Sequence, residues 1–190
     1  MAPLLLVLVD LLACAHPSPV LQVQTGGDRL PAFTAAPEGA LAPNPFTTEA
    51  LRGALAVGCT FRFEMRRVGV DSTFEQWRIV AANADTVTIN TTSLNAEGAL
   101  LKDEGDATYT WDELHHHADF PAATTVREEG VVQVPAGTFS VWHYIVRDEA
   151  ADTTSRFDFA KDAPGPPVKL TVQQGKGTVY EMILLERTRP

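Results

Sequence analysis

Residues 60–66 read Thr60-Phe61-Arg62-Phe63-Glu64-Met65-Arg66. Three apolar side chains alternate here with charged ones, and this period of two is typical of a β-strand that buries one face. Stretches with the same strand-like pattern recur along the rest of the chain, separated by short segments rich in Gly, Pro, Asn and Asp. The sequence therefore predicts a meander of short antiparallel strands.

Ten stretches fit this description, at residues 60–66, 74–82, 87–91, 99–102, 124–128, 131–134, 138–147, 153–160, 168–173 and 178–186. The stretches 138–147 and 178–186 are apolar on both faces, so we expect them to be central in the sheet or covered on both sides. About ten consecutive antiparallel strands tend to curl or close. The predicted fold is mainly β (α+β), a single curved antiparallel sheet or half-barrel with two short helices against it.

The two helices are predicted from their capping residues. Asn44 is a candidate cap for a first helix that Gly58 ends. Thr110 and Glu113 form a capping-box pattern, which predicts a second helix over residues 111–118. These two helices can plug the concave face of the sheet, and the alternative is that they leave it open as a ligand cavity.

The N-terminal stretch predicts export. An apolar run closes on Leu11-Leu12-Ala13-Cys14 and resembles the lipobox of bacterial lipoproteins, in which the cysteine becomes the lipidated N-terminus. The run carries Asp10 and lacks a preceding Lys or Arg, two departures from the usual signal pattern. We predict a signal peptide at 1–13, a lipidated Cys14 with a Pro- and Gly-rich linker at 14–44, and a β-rich domain at 45–190.

The charge and the cysteine content of the chain limit its possible partners. The chain has 24 acidic and 15 basic residues and a formal net charge of −9, which argues against a nucleic-acid partner. The only cysteine besides Cys14 is Cys59, so lipidation leaves Cys59 without a partner. We interpret Cys59 as a small buried apolar residue rather than a reactive thiol.

One pattern resembles a known family. It comprises the stretches at 134–139, 157–160, 164–168 and 180–182, together with Trp142 and Tyr144. This pattern resembles uncharacterised bacterial envelope lipoproteins of the LolA/LppX half-barrel type, over about residues 45–187. The resemblance implies an unclosed half-barrel with helices against its hollow and a hydrophobic cavity for lipid or acyl chains. Its motifs are turn and core residues, so it bears on fold more than on function.

A polar cluster is the candidate for chemistry. Residues 112–119 read Asp112-Glu113-Leu114-His115-His116-His117-Ala118-Asp119. Helical spacing brings together Asp112 with His116, or Glu113 with His117, and a metal would need further ligands such as Asp119 or His143. We favour the alternative of a solvated helix face, because no recognised metal-binding spacing is present.

The sequence has no nucleophile elbow, phosphate loop or CxxC motif. The expected function therefore rests on the N-terminal leader at residues 1–14. We expect a non-enzymatic lipoprotein of the bacterial envelope without a cofactor. The resemblance to bacterial lipoproteins implies that Ala15, in place of Asp after the cysteine, favours the outer membrane, facing the periplasm. The domain is expected to bind a hydrophobic ligand such as a lipid or acyl chain. The alternatives are a structural or protein-interaction lipoprotein and, more distantly, a metal-dependent hydrolase built on the His115–His117 helix.

Overall fold

The structure, a computed structural model, describes residues 36–190. This part of the chain forms two α-helices, one 3₁₀ helix and nine strands. In chain order they are α1 (Thr48–Ala54), β1 (Thr60–Arg67), β2 (Val70–Ala82), β3 (Thr86–Leu94), β4 (Leu100–Thr110), α2 (Trp111–His116), the 3₁₀ helix (Ala122–Thr124), β5 (Thr125–Val134), β6 (Gly137–Asp148), β7 (Thr153–Ala160), β8 (Lys169–Gln174) and β9 (Gly177–Thr188).

All nine strands belong to one sheet with the order β4-β3-β2-β1-β9-β8-β7-β6-β5, and every pair is antiparallel. The chain builds outward from β1 to the edge strand β4. Residues 111–124, here called the crossover, lead to the opposite edge at β5, and the remaining strands return until β9 pairs with β1. The sheet is curved and unclosed, with two short helices, which confirms the predicted half-barrel.

The strand count differs from the prediction in one place. Residues 124–128 and 131–134 were expected to be two strands, and they form the single strand β5. Its register with β6 continues without interruption through Gly130. The missing side chain at Gly130 leaves room for the His143 ring on the neighbouring strand, because a Cβ at this position would lie 2.0 Å from His143 Nε2. The glycine therefore serves cross-strand packing rather than a turn.

One further detail departs from the prediction, and the expectation for the two strands that are apolar on both faces is met. Residues 103–108, which look irregular, belong to β4, whose pairing with β3 absorbs two register shifts. Of the two strands apolar on both faces, β9 lies at the centre of the sheet, whereas β6 lies next to the edge strand β5. On β6, Val141 and Tyr144 point to opposite faces, and neither is exposed to solvent. Strand β6 is thus covered on both faces without being central.

The core lies on the face of the sheet that carries the helices, here called the inner face. Cross-strand partners on this face include Phe63 with Leu184 and Met65 with Met182, and all four side chains are buried. Phe120 of the crossover lies over the same face, and its ring centroid is 5.3 Å from that of Tyr144. Burial of side chains of this size contributes about 1.5–3 kcal/mol each, so the crossover is bound to the sheet mainly by apolar contact.

The helix starts agree in part with the prediction. Helix α2 has the predicted capping box, since Glu113 N donates to Thr110 Oγ1 (3.1 Å) and Thr110 N donates to Glu113 Oε2 (2.8 Å). Helix α1 begins three residues after the predicted position, and Thr47 is its cap. Asn44 instead reaches the crossover, where its side chain donates to the His115 carbonyl (3.0 Å).

Predicted segments of the N-terminus lie outside the described residues. These are the signal peptide at 1–13, Cys14 and most of the 14–44 linker. The described end of the linker contacts the domain, because Ala42 N donates to the Phe120 carbonyl and Ala122 N donates to the Ala40 carbonyl, both at 2.8 Å. The boundary at residue 45 stays a prediction. Within residues 36–190, no helix is both long enough and apolar enough to span a membrane.

Candidate functional site

The crossover holds the polar cluster that the sequence singled out. Ligand atoms of Asp112, His115 and His116 lie within 4.8 Å of one another on the surface of α2. Asp112 Oδ2 is 3.4 Å from His116 Nε2, and His116 Nδ1 is 2.6 Å from Asp119 Oδ2. The predicted pair of Asp112 and His116 is therefore present, and Asp119 joins it.

The two members of the other candidate pair, Glu113 and His117, each contact a different residue. The Glu113 carboxylate accepts hydrogen bonds from both the backbone N–H and the hydroxyl of Thr110, so it serves as a cap. The His117 ring packs edge-on against Tyr109, with ring centroids 5.4 Å apart. His143 lies on β6, where it is buried in a different polar cluster.

Sequence reasoning missed His115 as a neighbour of the first pair. His115 and His116 are adjacent, and adjacent side chains on a helix diverge. Asp112, however, lies three residues before one and four residues before the other, so its carboxylate lies on the same helix face as both rings. The sequence signal for this cluster was an acidic residue followed by histidines three and four positions later.

The electrostatics of this cluster favour a charged His116. The hydrogen bond and the charge of Asp119 raise the pKa of His116 above its ordinary value of 6.5, and Asp112 adds to this shift. Burial lowers the pKa of His117, although Glu113 opposes that shift. The pKa values of these two neighbouring histidines therefore shift in opposite directions, because His116 faces carboxylates in solvent and His117 is half-buried.

A second histidine cluster lies on the outer face of the sheet. His143 Nδ1 is 2.6 Å from Asp158 Oδ1 on the neighbouring strand, and both side chains are buried. Arg156 Nε donates to the same carboxylate oxygen (3.0 Å), and Arg156 Nη2 lies 3.0 and 3.2 Å from the two ring nitrogens. His143 Nε2 lies against Gly130, so the ring has no open nitrogen for a ligand. This cluster fixes β6 to β7 and offers no site for chemistry.

The inner face carries a third group of polar side chains. Both helices attach to the end of the sheet where β1 begins and β4 ends, here called the helix end. Along β1 and its two neighbours lies the turn-end surface, formed by Met65, Arg67, Glu75, Trp77 and Tyr180, which extends from Trp77 opposite Phe61 to Arg67 opposite Tyr180. Trp77 packs on the core ring of Phe63, with centroids 4.8 Å apart. Met65 and Tyr180 are buried, and Trp77 is half-buried.

The charged groups of the turn-end surface respond to this partial burial. Burial raises the pKa of Glu75, which accepts a hydrogen bond from Trp77 Nε1 (3.1 Å). Burial also raises the pKa of Tyr180 to about 12, although the Arg67 guanidinium, 5.5 Å from the ring centroid, opposes the shift. A carboxyl, a phenol and a guanidinium thus lie beside apolar side chains on one surface.

A small cleft lies between α1 and the C-terminal residues. Its volume is about 400 Å³, and its lining includes Ala54, Cys59, Asp162 and Arg189. Cys59 is 1% exposed, and its thiol donates to the Ala54 carbonyl (3.6 Å). The cysteine is thus buried, as the sequence predicted. Because the lining mixes small and charged side chains, this cleft does not resemble an apolar chamber for an acyl chain.

No protein-family model matches this chain, and no curated protein matches it in sequence. The fold is similar to that of a solved structure. The crystal structure of MucB is 12% identical with a TM-score of 0.51, over 73% of this chain and 55% of MucB, so the match spans about half of that protein.

Two weaker matches are MucB in complex with MucA(peri) and an exported protein with a YmcC-like fold from Bacteroides fragilis. The former is 14% identical with a TM-score of 0.48, over 72% of this chain and 52% of MucB. The latter is 12% identical with a TM-score of 0.45, over 70% and 97% of the two chains. At such identities the likeness to MucB is one of fold alone.

Proposed function

We propose that this chain is a lipoprotein of the bacterial cell envelope, anchored to the outer membrane by a lipid on Cys14. Its domain acts without enzymatic chemistry and binds an amphipathic hydrophobic ligand, such as a lipid or acyl chain, on the turn-end surface. The observation that carries the proposal is the uneven cover of the inner face, because the crossover packs over Tyr144 whereas Glu75 and Trp77 stay partly exposed.

The chemistry of the turn-end surface suits such a ligand. Trp77 is half-buried and supplies apolar contact area beside the buried side chains of Met65 and Tyr180. Apolar sites with a few placed polar groups hold ligands in a defined orientation. Arg67, Glu75 and Tyr180 would meet the polar head of the ligand while the hydrocarbon contacts the apolar side chains.

Tryptophan quenching tests the ligand site. A brominated fatty acid quenches an indole that it contacts, and the chain has three tryptophans. We expect quenching of wild type and its loss in Trp77→Phe, because Trp111 is buried in the core. The matched control is Trp142→Phe, since Trp142 lies on β6 between Arg127 and Lys161. Quenching that survives in Trp77→Phe would contradict the site.

The anchor is tested separately. We expect Cys14→Ser to move the protein from the membrane fraction to the soluble fraction of bacterial envelopes. A variant that still partitions with membranes would refute lipidation at Cys14 and leave the quenching result untouched.

A structural or protein-interaction role is the second candidate, and the edge strand β4 favours it. Leu100 and Leu101 on this strand are 62% and 68% exposed. An exposed strand edge offers unpaired backbone groups for β-augmentation by another chain. Cross-linking in envelopes that captures a stable protein, together with absence of fatty-acid quenching, would favour this role over ligand binding.

A further inference from the structure

We propose that α2 carries a binding site for Zn²⁺ or a similar borderline transition metal, with the side chains of Asp112, His115 and His116 as ligands. The site lies on the crossover, apart from the turn-end surface, and does not depend on the proposed lipid ligand. It needs no covalent or redox step.

The distances fit a tetrahedral ion. Zinc binds imidazole nitrogen and carboxylate oxygen at about 2.0–2.2 Å, so two ligand atoms of one tetrahedral ion lie about 3.3–3.6 Å apart. Asp112 Oδ2 and His116 Nε2 are 3.4 Å apart, and the ligand atom of His115 lies within 4.8 Å of both. Rotation of solvent-facing side chains closes the remaining distance.

An outer shell supports the same assignment independently. Metal-bound histidines almost always place their second ring nitrogen against a carboxylate or carbonyl, which fixes the tautomer and aims the first nitrogen at the ion. His116 Nδ1 lies 2.6 Å from Asp119 Oδ2, leaving Nε2 facing Asp112. Asp119 is held in turn by Asn44, whose side-chain nitrogen is 3.4 Å from Asp119 Oδ1 and also donates to the His115 carbonyl.

The ligand set selects the class of metal. Two imidazoles and one carboxylate suit zinc, nickel or copper, whereas calcium and magnesium prefer a full shell of oxygen ligands. Three protein ligands leave a fourth position for water or for a group from another molecule. Helix capping does not compete for the site, because Glu113 rather than Asp112 supplies the capping carboxylate.

Titration of the chelator-treated full chain with ZnCl₂ tests the proposal. We expect one equivalent to bind with measurable heat and to raise the melting temperature, and we expect CaCl₂ and MgCl₂ to do neither. Asp119→Asn should weaken zinc binding by roughly 10-fold or more, as outer-shell changes do. His116→Ala and Asp112→Ala, which remove ligands, should weaken it further.

His117→Ala is the matched control, because this neighbouring histidine packs against Tyr109 and lies outside the cluster. We expect it to bind zinc as wild type does. The proposal is overturned if zinc produces no heat and no shift in melting temperature. It is equally overturned if His117→Ala loses as much affinity as His116→Ala, since binding would then reflect an undirected run of histidines. Circular dichroism of each variant establishes that the fold is retained.

Discussion

Two histidine–aspartate pairs in this molecule share one contact and differ in everything around it. His116 with Asp119 and His143 with Asp158 each place Nδ1 2.6 Å from a carboxylate oxygen. The first pair lies at the surface, whereas the side chains of the second are 9% and 3% exposed. The surroundings of the second ring nitrogen therefore decide what such a pair can do.

In the surface pair, the free nitrogen of His116 faces another carboxylate, that of Asp112. In the buried pair, the corresponding nitrogen of His143 lies against Gly130 and the Arg156 guanidinium. A ring with an accessible nitrogen can bind an ion, and a ring enclosed on all sides can only hold strands together. The first pair therefore bears on chemistry and the second on stability.

The largest effect should come from removing the buried carboxylate. Asp158→Ala leaves His143 and Arg156 without their shared acceptor, and breaking a buried ionic cluster in this way costs about 3–5 kcal/mol. Urea unfolding followed by circular dichroism measures this free energy. The matched control is Asp119→Ala, which removes the equivalent carboxylate from the surface pair and should leave the unfolding midpoint nearly unchanged. Similar losses in both variants would remove the distinction between the pairs.

A second, smaller effect should come from filling the space beneath the buried ring. In Gly130→Ala the new Cβ would lie 2.0 Å from His143 Nε2, so the ring must move away from Asp158. We expect a loss of about 1–3 kcal/mol in the free energy of unfolding, typical of overpacking. The same urea titration measures it.

Gly53→Ala is the control for this substitution. Gly53 lies within α1, and a Cβ there meets no atom within 4 Å, so we expect a gain of about 0.5–1 kcal/mol from helix propensity. The double variant Gly130→Ala/His143→Ala tests the cause. If the contact with His143 explains the loss, the two substitutions together should cost clearly less than the sum of their separate costs.

Features of this fold that depend on neighbours along the chain were predictable from the sequence, whereas contacts between strands were not. The alternation at residues 60–66 and the capping box at Thr110 and Glu113 depend on neighbours along the chain, so both were predictable. The contact of His143 with Asp158 joins residues fifteen positions apart, and it depends on the register between β6 and β7. A slip of one residue would place the two side chains on opposite faces, and the register depends on the geometry of the turn at residues 149–152, which the strand pattern alone did not define.

In the crossover, too, one contact was predictable from the sequence and another was not. The pair of Asp112 and His116 follows from helical spacing and was predicted. The contact of Asn44 with Asp119 was not predictable, because the two are 75 residues apart and meet only once the crossover has docked on the inner face. Predicting Asn44 as a helix cap failed for the same reason, since its side chain found tertiary partners instead.

The smallest and most local effect is expected in the titration of the surface histidines. The contact with Asp119 raises the pKa of His116, so in metal-free buffer we expect its ring to titrate above 6.5 and that of His117 to titrate below it. Asp119→Asn should move the His116 value down toward 6.5 and leave that of His117 in place. Ring NMR shifts recorded against pH give both values.

The raised pKa of His116 also determines how the stability of the fold depends on pH. A histidine whose folded-state pKa is raised binds its proton more tightly in the folded protein, so the stabilisation is complete below pH 6.5 and is lost as pH rises through the folded-state pKa. Asp119→Asn should reduce this pH dependence while the Asp158 cluster stays intact. If His116 titrates at 6.5 in wild type, the Asp119 contact does not hold in solution, and the surface pair loses the feature that makes it comparable to the buried one.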